Sequence, residues 1–205
     1  MPRRVFLLSP ARLGGPRSLL LLRPEANFEL AERLRSGVAT IGEIYSFVSG
    51  LYFRGKVAYV DAFAAAPDGV PSAAVIVPGW GLTPLDTRVA AQQLKEIGAI
   101  SMERDHDVFR STLVRDARLL DQQAGPGCSF VLLGSIATDK YTHPLLDIFG
   151  ERLLFPADFV GRGDMSRGGL MLRSASAGAE LAYVSVEGAV RHGARPPKLA
   201  PLPRK

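Results

Sequence analysis

Three aspartates of this 205-residue chain stand in the segments that follow apolar runs: Asp86 in "PGWGLTPLD", Asp139 in "GSIATDKY" and Asp164 in "GRGDMSRGG". A carboxylate so placed can act as a general base or stabilise an oxocarbenium-like centre, the chemistry of N-glycosidic hydrolysis. The stretch around Asp164 also holds Arg162, Gly163, Ser166 and Arg167. Glycine amides flanked by two guanidiniums make a phosphate nest. The same residues also suit a glycine-rich hairpin with Asp164 paired to an arginine.

Further candidates follow the other apolar runs. "SPAR" offers Ser9 and Arg12, and "GSIATDKY" offers Gly134, Ser135, Lys140 and Tyr141. "PGWGL" sets Trp80 between Gly79 and Gly81, either to stack on a base or to pack into the core. "YFRGKVAY" interleaves Tyr52, Arg54, Lys56 and Tyr59, which suits a nucleic-acid surface or a solvated amphipathic helix. Residues 50–57, "GLYFRGKV", imitate the G-x-x-x-x-G-K phosphate loop, but Val57 has no hydroxyl for magnesium, and bulky residues separate the glycines. It is not a nucleotide-hydrolase loop. No histidine lies near Ser9 or Ser135 in sequence to complete a serine triad. One cysteine and three scattered histidines supply no metal cluster or disulfide framework, and no cofactor is expected.

The elements that must position these groups are legible as apolar runs. Five read as strands: VFLLS (5–9), AAVIV (73–77), SFVLL (129–133), RLLF (152–155) and LAYVSV (181–186). Most are continuous rather than alternating, as in strands covered on both faces. Helical patterns fall between them at 25–37, 87–98 and 107–123, with another from residue 45 onward that Gly50 and Gly55 interrupt. Strands alternating with helices predict a single α/β domain over 1–190, with a largely parallel central sheet and helices on both faces. Residues 191–205 are basic and proline-rich and read as a tail. In such a sheet the strand carboxyl ends hold the ligand cleft.

The net charge of +5 is unevenly placed. Residues 1–24 and 191–205 are basic without a single acid, which leaves the middle of the chain acidic. Basic ends of this kind bind a polyanion or serve solubility. The early apolar run SLLLLRP (18–24) is far too short to span a bilayer, and no signal-peptide pattern follows Met1. A cytoplasmic protein without a membrane partner is expected.

The order of the motifs resembles the peroxide-stress YaaA family and its relatives. That family's S-P-A-K is matched by Ser9-Pro10-Ala11-Arg12, and its "sGLYGvLrPlD" by 77–86 through Gly79, Gly81, Leu82, Pro84 and Asp86. Its "LAS-x-E-Y" turn is similar to 133–141 through Ser135 and Tyr141, and its "RG-x-M-x-R" to Arg162, Gly163, Met165 and Arg167. Arg12 replaces a lysine, no Y-R-x-E-M continuation follows Asp86, and "RGGLMLR" extends the last loop. The resemblance implies an α/β protein with DNA or a nucleoside or nucleotide as partner, in damage or stress protection. The alternatives are an enzyme of the N-glycosidic hydrolase type acting on a nucleoside or nucleobase, and a non-catalytic interaction protein.

Overall fold

Apolar runs without alternation demand cover on both sides, and the sheet obtains it. The structure is a computed structural model that describes residues 3–101 and 105–199. Residues 1–2 and 102–104 of the expected domain and 200–205 of the expected tail lie outside the described residues.

The central sheet has six strands: β1 (Arg3–Leu8), β3 (Ala73–Val77), β4 (Gly81–Pro84), β6 (Cys128–Leu133), β7 (Leu153–Pro156) and β8 (Tyr183–Ser185), in the order β4-β3-β1-β6-β7-β8. The inner four are parallel, and β4 and β8 close the two edges antiparallel. Two short strands, β2 (Ala39–Thr40) and β5 (Arg88–Val89), pair separately. Eight helices accompany the strands among the described residues: α1 (Pro16–Leu21), α2 (Glu29–Arg35), α3 (Ile41–Ser49), α4 (Leu51–Phe63), α5 (Ala91–Ala99), α6 (His106–Ala124), α7 (Asp139–Phe149) and α8 (Asp164–Ala177).

Register shows that both faces are covered. Val5 stands level with Phe130 on the neighbouring strand, so their side chains share a face and Phe6 points to the other. Phe130 stacks on Phe149 of α7 at 3.8 Å between ring centroids, whereas Phe6 meets Tyr59 of α4 edge-on at 5.7 Å. Helices α4 and α7 therefore lie on opposite faces. Residues 5–8 and 130–133 have no solvent exposure at all, which explains their unbroken apolar character.

Helix α3 starts where Thr40 and Glu43 cap each other: the Glu43 amide donates to Thr40 Oγ1 (3.3 Å), and the Thr40 amide donates to Glu43 Oε2 (2.8 Å). Partial burial pushes the Glu43 carboxyl up. The Thr40 bonds and the Arg33 guanidinium outweigh that and hold it below its ordinary value. At Gly50 the chain takes φ 62° and ψ −126°, a conformation open to glycine, and turns into α4. The 50–57 stretch is thus the junction and first turns of a helix.

Helix α4 then packs on α8 at near-backbone contact. A Cβ on Gly55 would sit 2.6 Å from Gly168 O, and one on Gly168 would sit 2.7 Å from both Leu51 O and Tyr52 Cα. Two glycines facing each other let the helices touch. This corrects the expectation for 161–169: Asp164–Ala177 is helical, so the stretch is neither a phosphate loop nor a hairpin, and Gly168 serves a helix crossing.

Candidate functional site at the carboxyl ends of the sheet

Strand β1 hands over to Ser9, whose amide still donates to Leu133 O of β6 (3.3 Å). Gly134 follows Leu133, and its lack of a side chain is what brings two elements together. A Cβ there would lie 3.1 Å from Ser9 Oγ and 3.3 Å from the Tyr141 hydroxyl of α7. Tyr141 donates to Ser135 O (3.0 Å) and lies against the Ser9 side chain, while burial pushes its phenol up.

From the helical face comes Lys56. Its Nζ donates to Ser9 O (2.8 Å) and Ser9 Oγ (2.7 Å) and lies 4.1 Å from the centroid of the Tyr52 ring, a cation–π contact. The residue is 0% exposed. No carboxylate bonds the amine among the described residues. Burial lowers its pKa from 10.5 to about 7; Asp164 opposes the shift and the Arg167 guanidinium adds to it. Near neutrality both the ammonium and the free amine are populated. As ammonium it donates to Ser9 Oγ; as amine it accepts the Ser9 proton across the same 2.7 Å.

Arg167 is buried nearby, but its bonds are committed. Its Nε and Nη2 both donate to Phe159 O at 3.2 Å, and Nη1 lies 3.6 Å from Asp164 Oδ1. The Tyr52 hydroxyl feels the Arg167 charge yet completes no hydrogen bond among the described residues, and burial pushes it up strongly.

Behind a wall formed by Pro10 and Ala11, which follow the buried Ser9 in the chain, this cluster adjoins a cleft of about 580 Å³ that Pro78 after β3 and Ile100 also line; Ser9 and Lys56 are not themselves part of the lining. Arg12 and Lys140 bring cations to it. Tyr45 of α3 also lines it, and the Tyr45 hydroxyl is buried without a hydrogen-bond partner among the described residues. A buried hydroxyl left unpaired costs about 1–3 kcal/mol.

The other sequence candidates are dispersed. Gly79, Trp80 and Gly81 form the β3–β4 hairpin, not a strand-to-helix loop: Trp80 packs half-buried on the core, and Gly79 and Gly81 have φ of 78° and 81°. A side chain on Gly81 would strike Asp116 of α6, whose Oδ2 accepts from the Leu82 amide (3.0 Å). Strand β4 runs back until Pro84 pairs with Ala74, so Asp86 lies toward the amino end of β3. Asp139 is exposed and ion-paired with Arg191; Asp164 is exposed in the first turn of α8. None of the three aspartates lines the cleft.

Gly163 precedes α8, and Arg162 donates to Asp158 O (2.9 Å) and Ser166 Oγ (3.2 Å). The nucleic-acid surface read into "YFRGKVAY" is corrected as well. Tyr52, Lys56 and Tyr59 are buried, and of the four only Arg54 is exposed, because the face α4 turns to the core carries residues 52, 53, 56, 59 and 60. That spacing was the available signal for Lys56, since its neighbours at helical distance are all aromatic or apolar. Tyr45 and Asp116 carried no comparable signal.

The chain matches no family model, no curated protein and no solved structure. Among the described residues, no helix is long and apolar enough to cross a membrane, and no group of three or more His, Cys, Asp or Glu is placed to hold a metal ion.

Proposed function

We propose that the strand-end cleft binds a nucleotide, free or at the end of a nucleic-acid strand. The observation that carries this reading is the unpaired Tyr45 hydroxyl in a cleft that also holds Arg12 and Lys140. A buried polar group without a partner in the protein is one that a water, an ion or a ligand can satisfy. The two cations suit phosphate, and the volume of about 580 Å³ suits a nucleotide-sized ligand. The order of motifs shared with the peroxide-stress YaaA family supports a nucleotide-associated role in stress protection.

Calorimetric titration of the full chain with a nucleoside 5′-monophosphate, and with a 5′-phosphorylated oligonucleotide, tests the reading. Binding weakened about tenfold by Tyr45→Phe, and lost in Arg12→Ala, is the expected result. A folded chain that binds neither probe sinks it.

A second observation favours direct nucleic-acid binding elsewhere. Arg162, Arg173, Arg195 and Lys198 surround a concavity of about 330 Å³ between α8 and the tail, and the buried Arg173 Nε has no hydrogen-bond partner among the described residues. Duplex DNA held there loses affinity with salt at a log–log slope of about −0.9 per phosphate contacted. A variant ending at Val190 removes this binding and spares the cleft. Binding unaffected by the truncation would exclude the groove. The carboxylate route to N-glycosidic hydrolysis gains no support from Asp86, Asp139 and Asp164, which stand apart from one another, two of them exposed and ion-paired.

A further inference from the structure

We infer that Ser9 and Lys56 form a nucleophile–base pair that hydrolyses an acyl ester carried by the anionic ligand of the strand-end cleft. The substrate class rests on the nucleotide reading of that cleft; the pair itself does not. Three features together carry it. The Ser9 Oγ to Lys56 Nζ distance of 2.7 Å is that of a proton-transfer hydrogen bond. Lys56 has no carboxylate partner among the described residues, so no ion pair locks it as the ammonium. Ser9 leads directly into Pro10 and Ala11, which wall the cleft, and Gly134 removes the side chain that would otherwise press on Ser9 Oγ.

A lysine kept buried only for packing has cheaper substitutes, since an apolar side chain of similar length fills the same volume without a charge to desolvate. A serine–lysine pair is also one of the recurring ways to activate a hydroxyl. Here the amine comes from the middle of a helix that glycine contacts press against α8.

The step balances without any co-reactant other than water. The Ser9 hydroxyl proton passes to the neutral Lys56 amine as Oγ bonds the ester carbonyl carbon. The carbon–alkoxide bond then breaks, and the leaving alcohol takes that proton from Lys56. Water, deprotonated by Lys56, attacks the acyl-serine; the carbon–Oγ bond breaks, the proton returns to Ser9, and a carboxylic acid departs. The charged and titratable groups around Lys56 are Tyr52 on its own helix, Asp164 and Arg167 on α8, and Tyr141 beyond Ser9 on α7. None is a carboxylate in contact with the amine.

The test treats the full chain with a fluorophosphonate, which a nucleophilic serine displaces at phosphorus with loss of fluoride, and locates the label by mass spectrometry. Ser9 is expected to carry it. The labelling rate rises about tenfold from pH 6 to pH 8.5 as the amine loses its proton, with a midpoint near 7. Lys56→Met and Lys56→Arg, each checked for folding by circular dichroism, lose at least about a hundredfold in rate.

An unlabelled Ser9 in the folded chain, or a rate that is flat with pH, overturns the pair. So does a rate that survives in a folded Lys56 variant. The pH profile of the unaltered chain decides the matter even where a variant fails to fold. A nucleoside 5′-monophosphate is expected to protect Ser9 from the label. Labelling without protection keeps the pair and overturns its substrate class, whereas nucleotide binding without labelling keeps the cleft and overturns the pair.

Discussion

Two basic, glycine-bearing stretches of this chain, 50–57 and 161–169, look alike in sequence and end up face to face, yet they treat their cations oppositely. In the second, Arg167 is buried against Phe159 O by two hydrogen bonds with Asp164 alongside, and Arg162 is tied to Asp158 O and Ser166. In the first, Lys56 is buried more completely, with one serine and two aromatic rings around it and, among the described residues, no acid bonded to it. A guanidinium stays charged and makes itself structural. An ammonium without an acid can give up its proton and become chemical. What separates the two is partnering, not composition.

The contact between the stretches is the place to break the comparison. Gly168→Val drives a branched side chain into the Leu51–Tyr52 backbone, and urea unfolding is expected to show a loss of at least about 3 kcal/mol. A loss below about 1 kcal/mol would mean that α4 and α8 do not meet as described.

Replacing the uncompensated amine works in the other direction. Lys56→Met is expected to raise stability by about 1–4 kcal/mol at pH 7 or below, measured by the same denaturation. The folded-state pKa of about 7 lies under the 10.5 of a free lysine, so between those values the unfolded chain binds the extra proton. Stability of the unaltered chain therefore rises with pH across that window, by up to about 1.4 kcal/mol per unit. The advantage of Lys56→Met shrinks accordingly above pH 7. An advantage that grows with pH would reverse the assignment.

The arginines sharpen the contrast at smaller scale. Arg167→Met takes both guanidinium donors from Phe159 O, leaving it, among the described residues, only the Arg162 amide (3.2 Å), and is expected to cost about 1–3 kcal/mol, with a smaller pH dependence between 7 and 10 than Lys56→Met shows. Arg162→Ala, more exposed, is expected to change stability by no more than about 0.5 kcal/mol. Were the two arginines to cost the same, burial of Arg167 would not be what distinguishes them.

Much of the fold was readable because burial on both faces leaves a composition signature. The runs at 73–77, 129–133 and 5–9 mark β3, β6 and β1 to within a residue or two. Strand β4 was missed because "GLTP" carries glycine and proline, which only an edge strand accepts. Helix α8 was missed because Ser166, Gly168 and Gly169 are poor helix formers on their own; contact with α4 overrides that preference. Ser9, Gly134, Lys140 and Tyr141 are legible as residues that follow strand ends. Lys56 reads in sequence as part of a nucleic-acid surface or a solvated amphipathic helix, and Tyr45 carries no signal of its own.

The sequence by itself determined the α/β class, the parallel inner strands and the end of the sheet where a cleft would form, because these follow from apolar runs and their spacing. Tertiary structure alone decided that Lys56 reaches Ser9, 47 positions earlier in the chain. No pattern along a chain encodes a distance between two helical and strand positions that far apart. It arises only when Gly55 and Gly168 let the helices close and Gly134 leaves room at the end of β6.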